Sequence, residues 1–392
     1  MNPVVVTGVG VMSSCGRGLD PLVSAIDARA PALRDEPRLR ALGSRCTLFG
    51  RVPDVDEAFA TLPLDPSDAR YFGRFSRIGA IAACDAMESS ASVGVGRVIV
   101  ATATGPMGEL ESCFRNTLRS EPHPHPAHAV TRVTPSFLPT YLAAAFGAPR
   151  GGHLVSAACT SALVAISQAH DCISRGEEEA VLVGGLEEDC PSTYWAFDRQ
   201  RQLAYATSVE ERARPLAGKV GGFVPAGGAG FFVLESEAHA SRRGAPVLGR
   251  IPRVATRSAR PAGASVLAFP RVAYEAALRD ALVAGPADLV LAHAPPTLAD
   301  SDELAVILSL TDANVRSYKS VFGYVVGASV ALDLALALAY LGRGHAPPND
   351  LGADASAGLD EALVSPATRV RRVVKMAYAQ CFSAGSLVAE AP

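Results

Sequence analysis

Residues 153–176 read HLVSAACTSALVAISQAHDCISRG, a stretch that predicts a strand, a tight turn, a cysteine and then a helix. Gly176 is well placed to end that helix. A thiol at a helix start lies near unpaired N–H groups and the positive end of the helix dipole. We therefore expect the thiolate form of Cys159 to be favoured, with small neighbours leaving room for a substrate. The apolar residues of the helix recur on one face: Leu163, Ile166, Ala169 and Ile173.

The composition indicates a chain with a large buried core and no bias toward nucleic acid. Of 392 residues, 49% are apolar and 19% are charged, and the net charge is −3. This length suits one large domain or two of average size, and the charge gives no electrostatic case for nucleic acid. The eight cysteines include no CxxC pair. We expect neither a zinc site nor a disulfide framework, and a reducing cytoplasm suits the cysteines.

One apolar segment, residues 321–341, is about as long as a membrane span. It contains Asp333, whose charge would be costly in lipid, and glycines lie near its start. We therefore predict a buried core helix and no membrane span. The first residues, MNPVVVTGVG, lack the basic start and long apolar stretch of a signal peptide, so none is expected.

Short β-branched runs alternate with helical stretches, a pattern typical of an α/β chain with buried sheets. We predict two related halves, residues 1–242 and 243–392, because each opens with a strand and later presents a strand-to-loop junction with polar residues. The predicted strands lie near residues 4–6, 98–100, 181–183, 231–234, 289–292, 370–375 and 387–388. The clearest helices are predicted near residues 78–89, 160–174 and 271–283.

Segment 119–139 is rich in proline and histidine, which favours a long surface loop or an interface arm. His123, His125 and His128 have a spacing that could hold a metal ion. Prolines alternate with these histidines, however, and Glu121 is the only carboxylate nearby. An exposed loop is the better interpretation of the segment.

Three later segments carry polar residues at strand or helix boundaries. His293 follows an apolar strand in LVLAHAPPTLADSDELA, residues 289–305, and Lys319 and Tyr324 lie in SYKSVFGYVVGAS, residues 317–329. The third segment, KMAYAQCFSAGSLV, covers residues 375–388. Taken singly, His293 favours a structural role and Lys319 a surface charge. Their significance comes from the combination with Cys159.

Together these segments resemble the β-ketoacyl-ACP synthase family of the thiolase superfamily, in its elongating branch. The resemblance covers most of the chain and implies a duplicated thiolase fold with five layers, α-β-α-β-α, usually in a homodimer or heterodimer. Five ordered motifs carry it: VVVTGVGVMSSCG (residues 4–16), the Cys159 segment through residue 188, RARPLAGKVGGFVPAGGAGFFVLES (212–236), AHAPPTLADSDELA (292–305) and YKSVFGYVVGASVA (318–331).

The resemblance also implies roles for individual residues. Cys159 matches the acyl-accepting nucleophile, His293 the first active-site histidine, and Lys319 the buried lysine of the site. Tyr324 stands where the family has its second histidine. No cofactor and no metal is implied. The loops that depart from the family pattern supply three expected substrate-binding residues: Thr297, Gln380 and Phe382, the last in the place of a gating phenylalanine.

The implied function is acyl transfer in fatty-acid or polyketide biosynthesis. An acyl carrier protein would deliver an acyl chain to Cys159, which would then be condensed with a malonyl-ACP extender. Loss of one donor to the developing negative charge costs on the order of 10²–10³ in rate, so the tyrosine leaves two alternatives open. One is a chain-length-factor-like partner of a complete ketosynthase. The other is an acyl transferase or thioesterase without decarboxylative condensation.

Overall fold

The computed structural model describes residues 1–119, 127–218, 221–260, 265–352, 360–380 and 382–392. Its strands, numbered in chain order, are β1 (Val4–Ser13), β2 (Gly16–Arg17), β3 (Arg34–Asp35), β4 (Leu48–Phe49), β5 (Arg97–Ala101), β6 (Gly152–Val155), β7 (Ala180–Glu187), β8 (Gly228–Ser236), β9 (Gly249–Ser258), β10 (Leu289–Leu291), β11 (Asn314–Arg316), β12 (His345–Ala346), β13 (Ala367–Thr368), β14 (Arg372–Ala379) and β15 (Ser383–Glu390).

The α-helices accompany these strands throughout the chain. They are α1 (Leu19–Asp27), α2 (Pro37–Ala41), α3 (Val55–Ala60), α4 (Arg74–Ser89), α5 (Met107–Leu118), α6 (Ala129–Val133), α7 (Phe137–Ala145), α8 (Ser161–Ser174), α9 (Pro191–Arg199), α10 (Glu237–Arg242), α11 (Arg271–Leu282), α12 (Ala299–Leu310), α13 (Lys319–Phe322), α14 (Ser329–Arg343) and α15 (Glu361–Val364). Short 3₁₀ turns cover Pro66–Tyr71 and Val326–Ala328.

The strand order repeats itself in the two halves of the main sheet. Neighbouring strands follow the path β6-β5-β7-β8-β1-β9-β15-β14-β10-β11. In the first half β5 is parallel to β6 and β7, while β8 is antiparallel to β7 and β1. In the second half β10 is parallel to β11 and β14, while β15 is antiparallel to β14 and β9. An antiparallel β1–β9 pair joins the halves. This repeat confirms the predicted duplicated α/β arrangement, and the division between residues 242 and 243 stays a prediction.

Five layers result from where the helices pack. The central helices α8 and α14 each contact strands of both halves and share one apolar core with them. On one outer face, α4 and α7 pack on the strands of the first half, and on the other α11 and α12 pack on those of the second half. Sheets covered on both faces require the continuous apolar strands that the sequence shows.

Helix α14, Ser329–Arg343, confirms the buried core helix predicted within residues 321–341. The stretch Val326–Arg343 is long and apolar enough to cross a membrane by composition, yet 83% of it is buried inside the protein. Its burial on both sides by sheet strands explains its nearly uniform apolar character, since a helix that is apolar all round belongs in a core.

Two local predictions have different outcomes. Gly176 follows α8 with a φ of 76°, a left-handed conformation that favours glycine, and so ends the helix as predicted. The single long loop predicted over residues 119–139 is wrong for its later part, because α6 begins at Ala129 and α7 at Phe137. His123 and His125 lie outside the described residues, and His128 immediately precedes α6.

Candidate active site

Loops from both halves of the fold enclose a cavity of about 520 Å³. The first half contributes the turn before α8 and the loop after β5. The second half contributes the loops after β10, β11 and β14. Among the lining residues are five expected from the sequence: Cys159, His293, Thr297, Tyr324 and Gln380.

Cys159 lies in a tight turn between β6 and α8. Ala158 has a φ of 49°, an uncommon conformation for a residue with a side chain. The Ser161 hydroxyl stabilises the turn by accepting a hydrogen bond from the Ala157 amide at 2.8 Å and donating one to the Ala158 carbonyl at 2.6 Å. The turn therefore holds the sulfur at the cavity wall, where it remains partly exposed.

The expected thiolate is not what the surroundings of Cys159 favour. Burial raises the pKa of the thiol to about 11, and the nearby Glu187 carboxylate adds to this rise. The Tyr324 hydroxyl lowers the pKa of the thiol and so opposes the rise without cancelling it. Helix α8 begins only at Ser161, so the cysteine lies before its first turn, and the dipole falls off over short distances. The expectation of a favoured thiolate is therefore wrong, and the resting group is a neutral thiol.

The backbone of His293 is fixed by a buried carboxylate. The amides of His293 and Ala294 each donate a 2.7 Å hydrogen bond to the Glu303 carboxylate. Tyr274 donates to the same carboxylate at 2.6 Å. Ala294 takes a φ of 30°, so the chain turns sharply just after the histidine. Glu303 belongs to α12 and fixes where the imidazole enters the cavity.

Tyr324 lies between the thiol and the imidazole. Its hydroxyl lies 3.1 Å from Nε2 of His293, and the same hydroxyl lowers the pKa of the Cys159 thiol. Backbone hydrogen bonds fix the tyrosine, because its amide donates to the Val224 carbonyl at 2.8 Å and its carbonyl accepts from Ala226 at 3.1 Å. Cys159, Tyr324 and His293 thus lie in one row at the cavity wall, which we call the thiol row.

Every member of the thiol row is neutral at ordinary pH. Burial, together with the charges of Lys319 and Lys375, holds the pKa of His293 well below its usual 6.5. Burial also raises the pKa of Tyr324 well above 10. Proton transfer along the row is possible, but an ion pair of thiolate and imidazolium is not the resting state.

Lys319 lies behind the cavity and is absent from its lining. Its Nζ is 3.5 Å from Oδ2 of Asp333, and Nζ of Lys375 is 2.5 Å from the same oxygen. Sequence reasoning assigned no role to Lys375 beyond the end of a strand. Asp333 was the feature of the sequence that could have predicted such a lysine, because a carboxylate inside an apolar helix needs a buried cation as its partner.

The C-terminal loop arranges its side chains differently from the expectation. Gln380 and Tyr378 line the cavity, and the Tyr378 ring centre is 4.4 Å from that of His293. Phe382 is buried outside the cavity lining, with its ring 5.7 Å from the Arg260 guanidinium carbon. Gln380 rather than Phe382 therefore lines the cavity. Cys381 lies outside the described residues.

Glu187 is a further buried acid near the sulfur that sequence reasoning did not single out. It accepts hydrogen bonds from the amide and hydroxyl of Thr104, at 3.2 and 2.6 Å, and from the Ala103 amide. Burial raises its pKa to about 7. Its role is to hold the loop after β5 against the cavity. Within the described ranges, no group of three or more metal-binding side chains is present.

Comparisons with known proteins agree with this geometry. Residues 1–240 match the family described as "Beta-ketoacyl synthase, N-terminal domain". Because that match covers more than half of the sequence, the chain belongs to the β-ketoacyl synthase family. It is 28% identical to 3-oxoacyl-[acyl-carrier-protein] synthase 2 of Vibrio harveyi, over 97% of this chain and 95% of that protein.

Two solved structures share the fold. A β-ketoacyl synthase from Burkholderia phymatum superimposes with a TM-score of 0.87 at 22% identity and covers both chains fully. The ishigamide ketosynthase/chain length factor gives a TM-score of 0.86 at 22% identity, over 100% of this chain and 99% of that one. These likenesses confirm the predicted duplicated thiolase fold.

Proposed function

We propose that this protein is a β-ketoacyl-ACP synthase-like acyltransferase in which Cys159 accepts an acyl chain from a carrier protein. The observation that carries the proposal is the thiol row: a cysteine, a tyrosine hydroxyl and a neutral imidazole meet at the wall of one cavity. A thiol in contact with a chain of proton acceptors can be deprotonated as it attacks a thioester.

The acylation step follows from the order of the row. The thiol proton passes to the Tyr324 oxygen while the Tyr324 proton passes to Nε2 of His293. The sulfur then attacks the thioester carbonyl, and the bond from that carbon to the carrier sulfur breaks. The proton returns along the row to the departing carrier thiolate, so charge and atoms balance. The Cys159 amide lowers the pKa of its own thiol, and we assign it the further role of stabilising the oxyanion of the intermediate.

Condensation with a malonyl carrier requires two of these groups to act as hydrogen-bond donors to the substrate. Decarboxylation develops negative charge on the thioester oxygen, which hydrogen-bond donors must stabilise. We assign these donors to His293 and Tyr324, with the tyrosine in the place of a second histidine. Because their hydrogen bond to each other spans only 3.1 Å, it must open before both can face a substrate oxygen. This competition predicts slow condensation relative to acyl loading.

The test is a two-stage mass measurement on the purified protein. Incubation with an acyl-loaded carrier protein is expected to add the acyl mass to the peptide carrying Cys159, and Cys159→Ala should lose it. Cys172→Ala is the matched control, because that thiol lies on the same helix and outside the cavity lining. Malonyl carrier is then added, and a ketoacyl product supports condensation. Acylation with no carbon–carbon bond formation would restrict the function to acyl transfer or thioester hydrolysis.

A second candidate is a non-elongating subunit that pairs with a complete ketosynthase. The neutral thiol, with its pKa near 11, favours this role because it opposes nucleophilic attack at neutral pH. The discriminating result is an absence of acyl mass at Cys159, together with a stable complex and altered product length when a complete ketosynthase is added. Acyl loading of the isolated protein would exclude this candidate.

The proposed partners are an acyl carrier protein and a second thiolase-fold subunit, identical or related. Strand β6 ends one edge of the main sheet and pairs only with β5 among the described strands. It lies four residues before Cys159 in sequence. A partner strand added at this edge would lie close to the nucleophile. Sedimentation of the pure protein tests whether a homodimer forms, and a cytoplasmic location stays a prediction.

A further inference from the structure

A buried cluster of two lysines and one aspartate lies behind His293. Lys319 comes from α13, Asp333 from α14 and Lys375 from β14, and all three side chains are almost fully enclosed. Both ammonium groups approach one carboxylate oxygen, Lys375 at 2.5 Å and Lys319 at 3.5 Å. Two cations and one anion leave a net positive charge enclosed in the protein when all are ionised.

Such a charge is not explained by stability. Burying an ammonium group is costly, and a well-packed apolar residue in its place is often at least as stable. The neighbours of Lys375 on β14, Val374 and Met376, are apolar and buried, so the strand does not require a lysine for its own packing. The position of the Nζ atom indicates what the lysine does instead.

Lys375 contacts the loop that carries the imidazole. Its Nζ donates a 3.0 Å hydrogen bond to the carbonyl of Ala292, the residue before His293. Glu303 holds the amides on the other side of the same short loop. The loop is therefore fixed from two directions, by a cation at its carbonyl and by an anion at its amides.

The groups that face the imidazole come from α12, α13, β14 and the loop after α13. Lys319 and Lys375 act on it electrostatically, Glu303 binds its backbone, and the Tyr324 and Tyr378 rings pack against it. Nδ1 of His293 has no hydrogen-bond partner in the described part of the chain. No carboxylate therefore contacts the ring to offset the two cations, and their repulsion disfavours a protonated ring.

We propose that Lys375 is a positioning residue for His293, fixing its loop through the Ala292 carbonyl and keeping the imidazole neutral and able to accept a proton through Tyr324. The catalytic part of this inference rests on the proposed acyl transfer. The electrostatic part does not, because it concerns only the ionisation of the ring.

The test measures the ionisation of His293 directly, by nitrogen NMR of protein labelled at histidine. The His293 signals are assigned by their loss in His293→Gln. In Lys375→Met the proton affinity of His293 should rise at least about tenfold, because a buried charge is removed while Lys319 and Asp333 still pair. Lys375→Arg keeps the charge and should stay within about twofold of the wild type. An unchanged proton affinity in a folded Lys375→Met protein would overturn the proposal, as would equal rises in both variants.

The pH titration of the wild-type protein offers a second measurement. Burial lowers the pKa of Lys375 to about 8. The His293 ring signals should therefore shift with a midpoint near pH 8, and this shift should vanish in Lys375→Arg. A featureless titration of the wild type through this range also contradicts the proposal.

Acyl loading separates this inference from the function on which it rests. Lys375→Met should lower the maximal rate of loading at Cys159 more than it changes the half-saturating carrier concentration. If the NMR shifts occur while no variant loads an acyl chain, the electrostatic role holds and the proposed function fails. If acyl loading occurs but the ionisation of His293 is the same in wild type and Lys375→Met, the proposed function holds and the electrostatic role of Lys375 fails.

Discussion

The two halves of the molecule place equivalent loops at the cavity and hold them by the same device. The loop after β5 has its amides at Ala103 and Thr104 bound by the carboxylate of Glu187. The loop after β10 is at the matching place in the repeated strand order. Its amides at His293 and Ala294 donate hydrogen bonds to the carboxylate of Glu303.

The difference lies in what each loop carries. The first presents small residues and threonines, whereas the second presents an imidazole backed by two buried lysines. The turns before the central helices differ in the same way, because one carries a thiol before α8 and the other a tyrosine before α14. The duplicated framework thus fixes where side chains can meet, and the individual loops decide the chemistry.

Removing the carboxylate that holds the histidine loop should have the largest effect. Glu303→Ala leaves two buried amides and the Tyr274 hydroxyl without their acceptor. At about 1–3 kcal/mol for each of the three groups, we expect a loss of about 3–9 kcal/mol in the free energy of unfolding, measured in urea. Glu303→Gln keeps one acceptor oxygen and should lose roughly half as much. A loss below about 1 kcal/mol in Glu303→Ala would contradict the equivalence of the two loops.

Replacing Tyr324, in the second half, with histidine should change the rate of condensation relative to the rate of acyl loading. In Tyr324→His, a ring N–H can donate to a malonyl thioester oxygen, and we expect condensation to accelerate about 10²-fold or more. Tyr324→Phe removes the donor and should slow both steps. The readout is ketoacyl product formed per acylated protein. Equal condensation rates in wild type and Tyr324→His would show that the hydroxyl is not the limiting group.

The carboxylate of the first loop should give a pH dependence of stability. The folded-state pKa of Glu187 is raised to about 7, above its ordinary 4.5. The folded protein thus retains a proton that the unfolded chain releases, so stability falls as pH rises from about 4.5 to 7 and levels off above. The contribution is about 3 kcal/mol, and Glu187→Gln should flatten the fall by that amount. The pKa of Glu188 is also raised to about 7, so the part of the fall in stability that Glu188 causes should remain in Glu187→Gln. An identical slope in the variant would contradict this assignment.

The smallest effects should come from the ends of the two central helices. Gly176 after α8 and Gly344 after α14 adopt φ values of 76° and 69°. Alanine at either site should cost about 1 kcal/mol, because a Cβ disfavours the left-handed conformation. Gly342 is the matched control, since it lies inside α14 with open space around it. Alanine there should stabilise by up to about 1 kcal/mol. Thermal unfolding of the three variants decides whether the two helix ends are equivalent.

Much of this framework follows from the sequence, because strands, central helices and the residues of the thiol row lie in strongly patterned segments. Helix α8 and strand β10 fall within a residue or two of their expected bounds. The ionisation of Cys159 could not be predicted, because it depends on burial by distant loops rather than on the helix that follows. Lys375 could not be assigned either, since one lysine in a strand gives no signal of the two partners that surround it. Phe382 shows the same limit, because the path of a turn decides which side chain enters the cavity.

The turns beside the thiol row have one more consequence. Ala158, Ala294 and Val326 all take positive φ values next to, or near, the residues that meet in the cavity. Their side chains make such conformations unfavourable, so the surrounding contacts must enforce them. A cavity whose walls are held by such turns changes shape little when a substrate binds. The acyl chain must therefore fit a preformed cavity, and we expect acyl chains to be selected by shape before any reaction occurs.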